Sequence, residues 1–455
     1  MSGMIQYYLQ TLPPWVLPVG VPAFVLLIVA AAVLIPFRQL QYVVLMLMPV
    51  SLLANQFVEI KALQAAAKVL FPVAYIALLG LLLMQPARRK IPPLSWGFVL
   101  LGLMGAVFVS RCSDATLQIY LALNYSLMAV TAIVLVSRLG SAADLRKVCL
   151  ALYIGFVIST FTLAAAILFD ERVMFHLGNY RFSPWGSNPN LLTAHPMLAM
   201  LGSFYLVTTR CQFHWKALAL CVAGTALAEL LLTGSRSVLL IAAPTLPCFA
   251  VRFIKRPVIV GLGVATAVAL VGYLAAKTEH GLQLGRMGSL ETSRWEIADA
   301  YLTEIEKRPL LGALEDPGIH SIMVPTIDTH SHNTWLLLLH RGGILYAGFY
   351  TLMACFSLWA GVRVLFARRR MGADPLLVTL LVALLFANYA HGVVNFTNVW
   401  ATNMWAFLQV TLSVLMLTWK REINEMAHGV DRMTKSATLY NVAHAGEQAY
   451  PELAS

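Results

Sequence analysis

Charge is what this chain of 455 residues has least of. Asp, Glu, Lys and Arg together make up 12% of it, against roughly one quarter in a water-soluble domain. Hydrophobic residues fill 59% and mean hydropathy is +0.74, which excludes a soluble globular protein. Close cysteine spacing is missing as well. Cys112, Cys149, Cys211, Cys221, Cys248 and Cys355 are scattered, mostly inside apolar runs, so no zinc or disulfide framework is indicated and they are expected to be packing residues. No basic stripe with interleaved aromatics appears, which argues against a nucleic-acid partner despite the net charge of +11. Internal repeats, low-complexity stretches and nucleotide-binding motifs are absent too. No basic leader with a small-residue cleavage site opens the chain, so the first apolar run is expected to be a retained span.

What the chain does have is apolar runs near the 20 residues that cross about 30 Å of hydrocarbon. They fall near 16–36, 40–58, 65–85, 94–112, 117–137, 147–169, 190–208, 217–233, 237–252, 257–276, 343–366, 376–396 and 403–419. The second is interrupted by Asn55 and Glu59, so twelve or thirteen spans are expected, an all-α polytopic membrane protein. Lys and Arg cluster in alternate connections: Arg88 to Lys90, Arg138 to Lys147, Arg210 to Lys216, Arg252 to Arg256, and Arg368 to Arg370. By the positive-inside bias these are cytoplasmic. The tail 420–455 is then cytoplasmic, and its polar, aperiodic composition predicts loose order.

The connections near 170–190, 233–237, 277–342 and 397–402 fall on the far side. Segment 277–342, at more than about sixty residues, exceeds what a mere connection requires. Within it, Trp295, Ile297, Ala298, Tyr301, Leu302 and Ile305 recur at three- and four-residue intervals among acids. This predicts an amphipathic helix from about 292 to 308, capped by Thr292 or Ser293 and ended by Pro309.

Three far-side arginines stand where topology does not ask for positive charge. Arg181 lies in RFSPWGSNPN (Arg181 to Asn190), Arg236 in TGSRS (Thr233 to Ser237), and Arg294 in TSRWEIADAY. A guanidinium offers a rigid fork of donors that grips phosphate oxygens bidentately, so three converging forks suit a diphosphate. Each could instead pair with a local carboxylate or reach for headgroups. Arg236 is the sharpest, because Gly234, Ser235 and Ser237 leave the backbone open just before the next span, where helix amides can join in holding an anion. Glu229, in the preceding span, is either a partner for Arg236 or another buried donor, or a direct participant.

The run THSHNTW (Thr329 to Trp335) closes the far-side segment. An unperturbed imidazole titrates near pH 6.5, so a neutral histidine here can take a proton from a hydroxyl. His332 is the candidate base, with His330 two residues away as its rival. Asn333 can hold an adjacent group or cap the helix that follows, and Trp335 is expected as an interfacial anchor. H-x-H beside Asp328 could bind a divalent ion, but no third ligand stands at a convincing spacing. His320 and His340 are expected to be structural.

Taken together, NPN at Asn188 to Asn190, the TGSRS turn, Arg294 followed by Trp295, and HSHNTWL leading to Gly342 and Gly343 resemble the O-antigen ligase superfamily. That superfamily also includes O-antigen polymerases and protein O-oligosaccharyltransferases. The resemblance implies an inner-membrane glycosyltransferase of the GT-C kind, working on the periplasmic face without metal or cofactor. Its donor would be O-antigen on undecaprenyl diphosphate and its acceptor lipid A-core, within membrane lipids and with no nucleic acid involved. His332 would correspond to the catalytic histidine and Arg181, Arg236 and Arg294 to the diphosphate-binding arginines, supported by His330, Asn333, Asn190, Ser235 and Glu229. Where family members commonly carry an acid before glycine, this chain has His340 and Arg341. A competing class, a lipid-linked glycan transporter, calls for paired midplane charges and two related halves, and the sequence offers neither.

Overall fold

The computed structural model describes residues 36–110, 115–170, 173–176, 179–180, 182–209, 212–233, 235, 245–249, 294–312, 333–394 and 404–448. The expected spans at 16–36 and 257–276, and most of 237–252, lie outside them. The described residues are almost wholly helical: α1 (Phe37–Ala54), α2 (Lys61–Leu83), α3 (Gly97–Val109), α4 (Ala115–Arg138), α5 (Ala142–Phe169), α6 (Ala194–Thr208), α7 (Phe213–Thr233), α8 (Arg294–Lys307), α9 (Thr334–Ala367), α10 (Pro375–Val394) and α11 (Met404–Gln448). A two-residue antiparallel pair, β1 (Phe175–His176) with β2 (Asn179–Tyr180), decorates the connection after α5.

The helices form on the apolar runs, with boundaries set by local chemistry. Ser141 and Asp144 make a reciprocal capping box at the start of α5: the Ser141 hydroxyl accepts from the Asp144 N–H at 3.2 Å, and the Asp144 carboxylate accepts from the Ser141 N–H at 3.0 Å. Two expected spans are broken. The 94–112 run divides into a 3-10 turn, Pro93–Trp96, followed by α3, and the 190–208 run into a single turn, Pro189–Leu192, followed by α6. Ile119–Arg138, Ala142–Phe169, Phe213–Thr233, Thr334–Arg370 and Pro375–Val393 are each long and apolar enough to cross a membrane. The protein is thus built as a helical membrane protein.

In one group of helices α5, α6 and α7 pack in chain order, and α1 packs on α5 across the intervening three helices. A second, α3, α4, α9, α10 and α11, surrounds a core of Tyr125, Tyr346, Tyr350, Trp405 and Phe407, and α2 joins the two by packing on α1 and α4. At Gly155 on α5 the backbone of α1 comes so close that a Cβ would collide with the Met46 carbonyl and the Pro49 ring, the kind of approach that small residues permit between helices in lipid.

The basic connections meet at one end of this bundle. Arg88 pairs with Asp144 at 3.4 Å, and Arg89 grips both oxygens of Glu422 at 2.9 and 2.8 Å while its Nε donates to the Leu139 carbonyl. Arg138 donates to the Leu82 carbonyl at 3.0 Å, and the Tyr205 hydroxyl donates to Asp374 at 3.0 Å. Partial burial holds the Glu422 carboxyl above its ordinary range, an upward push that the Arg89 charge opposes without cancelling. The ends of α2, α4 and α6, the starts of α5 and α10 and the middle of α11 are thereby held at one end, and the start of α6 is left at the opposite end.

Two expectations fail here. The tail after Arg421 is not loosely ordered but continues α11 to Gln448. No proline falls between Met404 and Gln448, and Arg421 pairs with Glu425 one turn on at 2.7 Å, so the helix outlasts its apolar stretch. Nor are all the described cysteines packing residues: Cys149 and Cys248 are half-buried, but Cys221 and Cys355 are exposed on the outer flanks of α7 and α9.

Candidate functional site

The end opposite the basic connections gathers the segments that carry the candidate residues. Arg181 itself lies outside the described residues, but its neighbour Phe182 is buried and donates its N–H to the Leu232 carbonyl at 3.1 Å. That bond sets the RFSPWGSNPN loop beside the last turn of α7, immediately before Thr233 and the TGSRS turn. Phe182 joins Leu53, Phe57, Leu163, Val173 and Leu192 in a small apolar cluster that seats the loop on the ends of α1 and α5. Ser235 is buried in the turn, and Arg236 lies outside the described residues.

The loop is held in an unusual conformation. Trp185 has φ of 49°, left-handed backbone that a bulky residue adopts only when its surroundings force it. Asp170 accepts its N–H at 2.5 Å, its carbonyl accepts the Glu59 N–H at 3.1 Å, and its ring meets Phe57 edge-on at 4.6 Å. Glu59 and Asp170 are thus organisers of this loop that the sequence did not single out. Asp170 ends an apolar run, which was the available signal; Glu59 acts through its backbone N–H, which no side-chain pattern marks. Asn190 falls in the single turn Pro189–Leu192, and its side chain lies outside the described set.

Glu229 faces inward on α7, 2% exposed, and neither carboxylate oxygen finds a hydrogen-bond partner among the described residues. The expected pairing with Arg236 lies outside them. An isolated acid so buried in a spanning helix is costly, which marks it as a residue kept for a purpose.

The second assembly is built on α9. Asn333 is its N-cap: with extended backbone, its side-chain oxygen accepts the Leu336 N–H at 3.1 Å. Of the two roles left open for Asn333, the structure displays the cap. Replacing Asn333 with alanine should cost about 1 kcal/mol, to be read as a lower midpoint in thermal unfolding in detergent. His330 and His332, immediately upstream, lie outside the described residues, as does His320. Trp335 is half-buried; its indole N–H donates to Thr351 at 3.1 Å and its ring meets Tyr350 edge-on at 5.4 Å.

The amphipathic helix α8 runs from Arg294 to Lys307 as expected and packs on the first part of α9. Tyr301 and Ile305 are buried against Leu336 and Leu339, and the Tyr301 ring meets His340 edge-on at 5.3 Å. Leu302, expected on the apolar face, is exposed instead. A contact face centred on Tyr301 and Ile305 is too narrow to include it. His340 is buried and packed, the structural role expected of it. The Arg294 and Trp295 side chains are outside the described set. Measured along the helices, Arg294 and Thr334 each stand about 10 Å from the Tyr301–His340 contact.

α9 is not one straight rod: its first part folds back at Gly343, which brings Trp335 within hydrogen-bond reach of Thr351 at 3.1 Å. The longer part beyond Gly343 runs to Arg368 to Arg370, and α8 docks on the first part. Between the two parts lies an open apolar groove of about 440 Å³, lined by Trp335, Leu339, Ile344, Ala347, Thr351 and Leu352.

No family model matches this chain, and no curated protein matches it.

Proposed function

We propose that this protein is an inner-membrane glycosyltransferase of the metal-independent GT-C kind, with twelve or thirteen spans. It moves O-antigen polysaccharide from undecaprenyl diphosphate onto lipid A-core at the periplasmic face. The observation that carries the proposal is the Phe182–Leu232 hydrogen bond. It joins two motif segments far apart in sequence, those of Arg181 and Arg236.

A sugar on a diphosphate already has a good leaving group, so the enzyme has two tasks. Arginines on the joined segments neutralise the charge that grows on the departing diphosphate. His332 accepts the proton of the acceptor hydroxyl as its oxygen bonds to the anomeric carbon and the bond from that carbon to the phosphate oxygen breaks. This in-line displacement inverts the anomeric centre. The open apolar groove on α9 supports entry of a lipid-linked donor from the bilayer.

The test is reconstitution of the purified protein in liposomes with lipid-diphosphate-linked O-antigen and lipid A-core. Glycan should appear on lipid A without ATP and in the presence of a metal chelator. Failure of transfer under those conditions, with folded protein, would overturn the proposal. A polymerase, using the same donor, is separated by a deletion strain. Loss of all O-antigen from lipid A while polymer accumulates on carrier lipid marks the ligase, and single repeat units on lipid A mark the polymerase.

A further inference from the structure

Helix α9 is not continuous. At Gly343 the backbone turns to φ 63°, ψ −165°, which interrupts it one turn after His340. Such a break strands the N–H groups that begin the second half. Here they are taken by the chain leaving α8: Ile344 N–H donates to the Pro309 carbonyl at 2.8 Å and Leu345 N–H to the Leu310 carbonyl at 3.5 Å. The two backbones touch through glycine on both sides. A Cβ on Gly343 would strike the Leu310 carbonyl, and a Cβ on Gly312, itself at φ 70°, would stand 2.6 Å from the His340 carbonyl oxygen. No other residue fits either position, on grounds of both backbone angle and space.

We infer that this reciprocal glycine crossing is a clasp that locks α8 onto α9 and so positions the helix start bearing Arg294 relative to the helix start beside His332. Gly312 and Gly343 are positioning residues, acting only through α8 and α9. The catalytic consequence rests on the glycosyl-transfer proposal, whereas the clasp itself stands on the backbone geometry. A docked helix placed by side-chain packing alone, through Tyr301 and Ile305, could slide along the partner helix. Two backbone hydrogen bonds into a helix break fix its register.

The experiment uses the full-length protein with its six native cysteines replaced by alanine and spin labels at Asp299→Cys on α8 and Arg363→Cys on α9. A second labelled pair, Leu220→Cys with Arg363→Cys, reports on the bundle alone. The parent should show a narrow distance distribution for both pairs. Gly343→Ala and Gly312→Ala should each broaden the first pair and leave the second narrow. Each should also slow glycan transfer by about tenfold to a hundredfold, as misplacement of reacting groups does, chiefly in kcat rather than in KM for the donor. Gly224→Ala, where a Cβ meets nothing within 4 Å, should alter neither readout. Should Gly343→Ala disturb the bundle pair, Gly312→Ala, outside the bundle, decides. An unbroadened first pair in the glycine variants overturns the clasp, and broadening with undiminished transfer overturns the positioning role. A parent that transfers no glycan defeats the functional proposal, and the distance measurements still decide the clasp.

Discussion

His332→Ala is expected to insert and fold as the parent does and to lose at least about a hundredfold in transfer rate, the usual scale for a general base. An acceptor sugar hydroxyl is a weak nucleophile, and its attack on the anomeric carbon becomes easier only as its proton leaves. Imidazole is the one common side chain whose neutral form both exists near pH 7 and accepts a proton readily. The position directly before the Asn333 cap ties the histidine to the rigid start of α9. The measurement is transfer by purified variant at saturating donor and acceptor. The parent's rate should also fall on the acid side, as the imidazole takes up a proton and can no longer act as base, and the residual rate of the variant should lack that limb. Undiminished transfer by His332→Ala would remove the catalytic assignment and turn attention to His330.

Arg236→Ala should reduce transfer by about 10² to 10³, the scale measured when one preorganised donor to a developing anion is removed. Arg236→Lys should recover little of it, because a point charge cannot reproduce two parallel donors to two phosphate oxygens. The Ser235 backbone and the end of α7, held to the neighbouring loop through the Phe182–Leu232 bond, set the base from which that side chain reaches. Both variants should retain the parent's unfolding midpoint in detergent. Near-parental transfer by Arg236→Lys would demote the residue to a structural ion-pair partner, for which Glu229, with no hydrogen-bond partner among the described residues, is the candidate.

Much of the helical layout was legible because hydrocarbon is an intolerant solvent: a run of apolar residues near 20 long has few alternatives to a helix. The amphipathic helix was equally plain, since Tyr301 and Ile305 sit one turn apart and Pro309 marks the end. The interruptions were not legible. Nothing in the apolar run around Gly342 and Gly343 distinguishes a tolerated glycine pair from a break, because the break exists only through what crosses it, the Pro309 and Leu310 carbonyls contributed from more than about thirty residues upstream. The roles of Asp170 and Glu59 were hidden for the same reason. Each acts on Trp185, a residue brought to it by folding: the Asp170 carboxylate looks alike in sequence whether it faces water or a backbone N–H, and Glu59 acts through its own backbone N–H, which every residue but proline carries. The helix beyond Arg421 was not legible because its periodicity is weak, although a stretch without proline needs no apolar stripe to stay helical when ion pairs such as Arg421–Glu425 support it.

By itself, then, the order of amino acids determined that this is a helical membrane protein, which connections carry the positive charge, and which scattered arginines and histidines stand out of place, because burial and charge are properties of each segment alone. Only the tertiary structure decided that the Arg181 loop abuts the Arg236 turn and that the Arg294 helix is clamped to the helix that follows His332. Those relations depend on hydrogen bonds and close backbone contacts between segments remote along the chain, and no local pattern encodes which remote partner a carbonyl or an N–H will find.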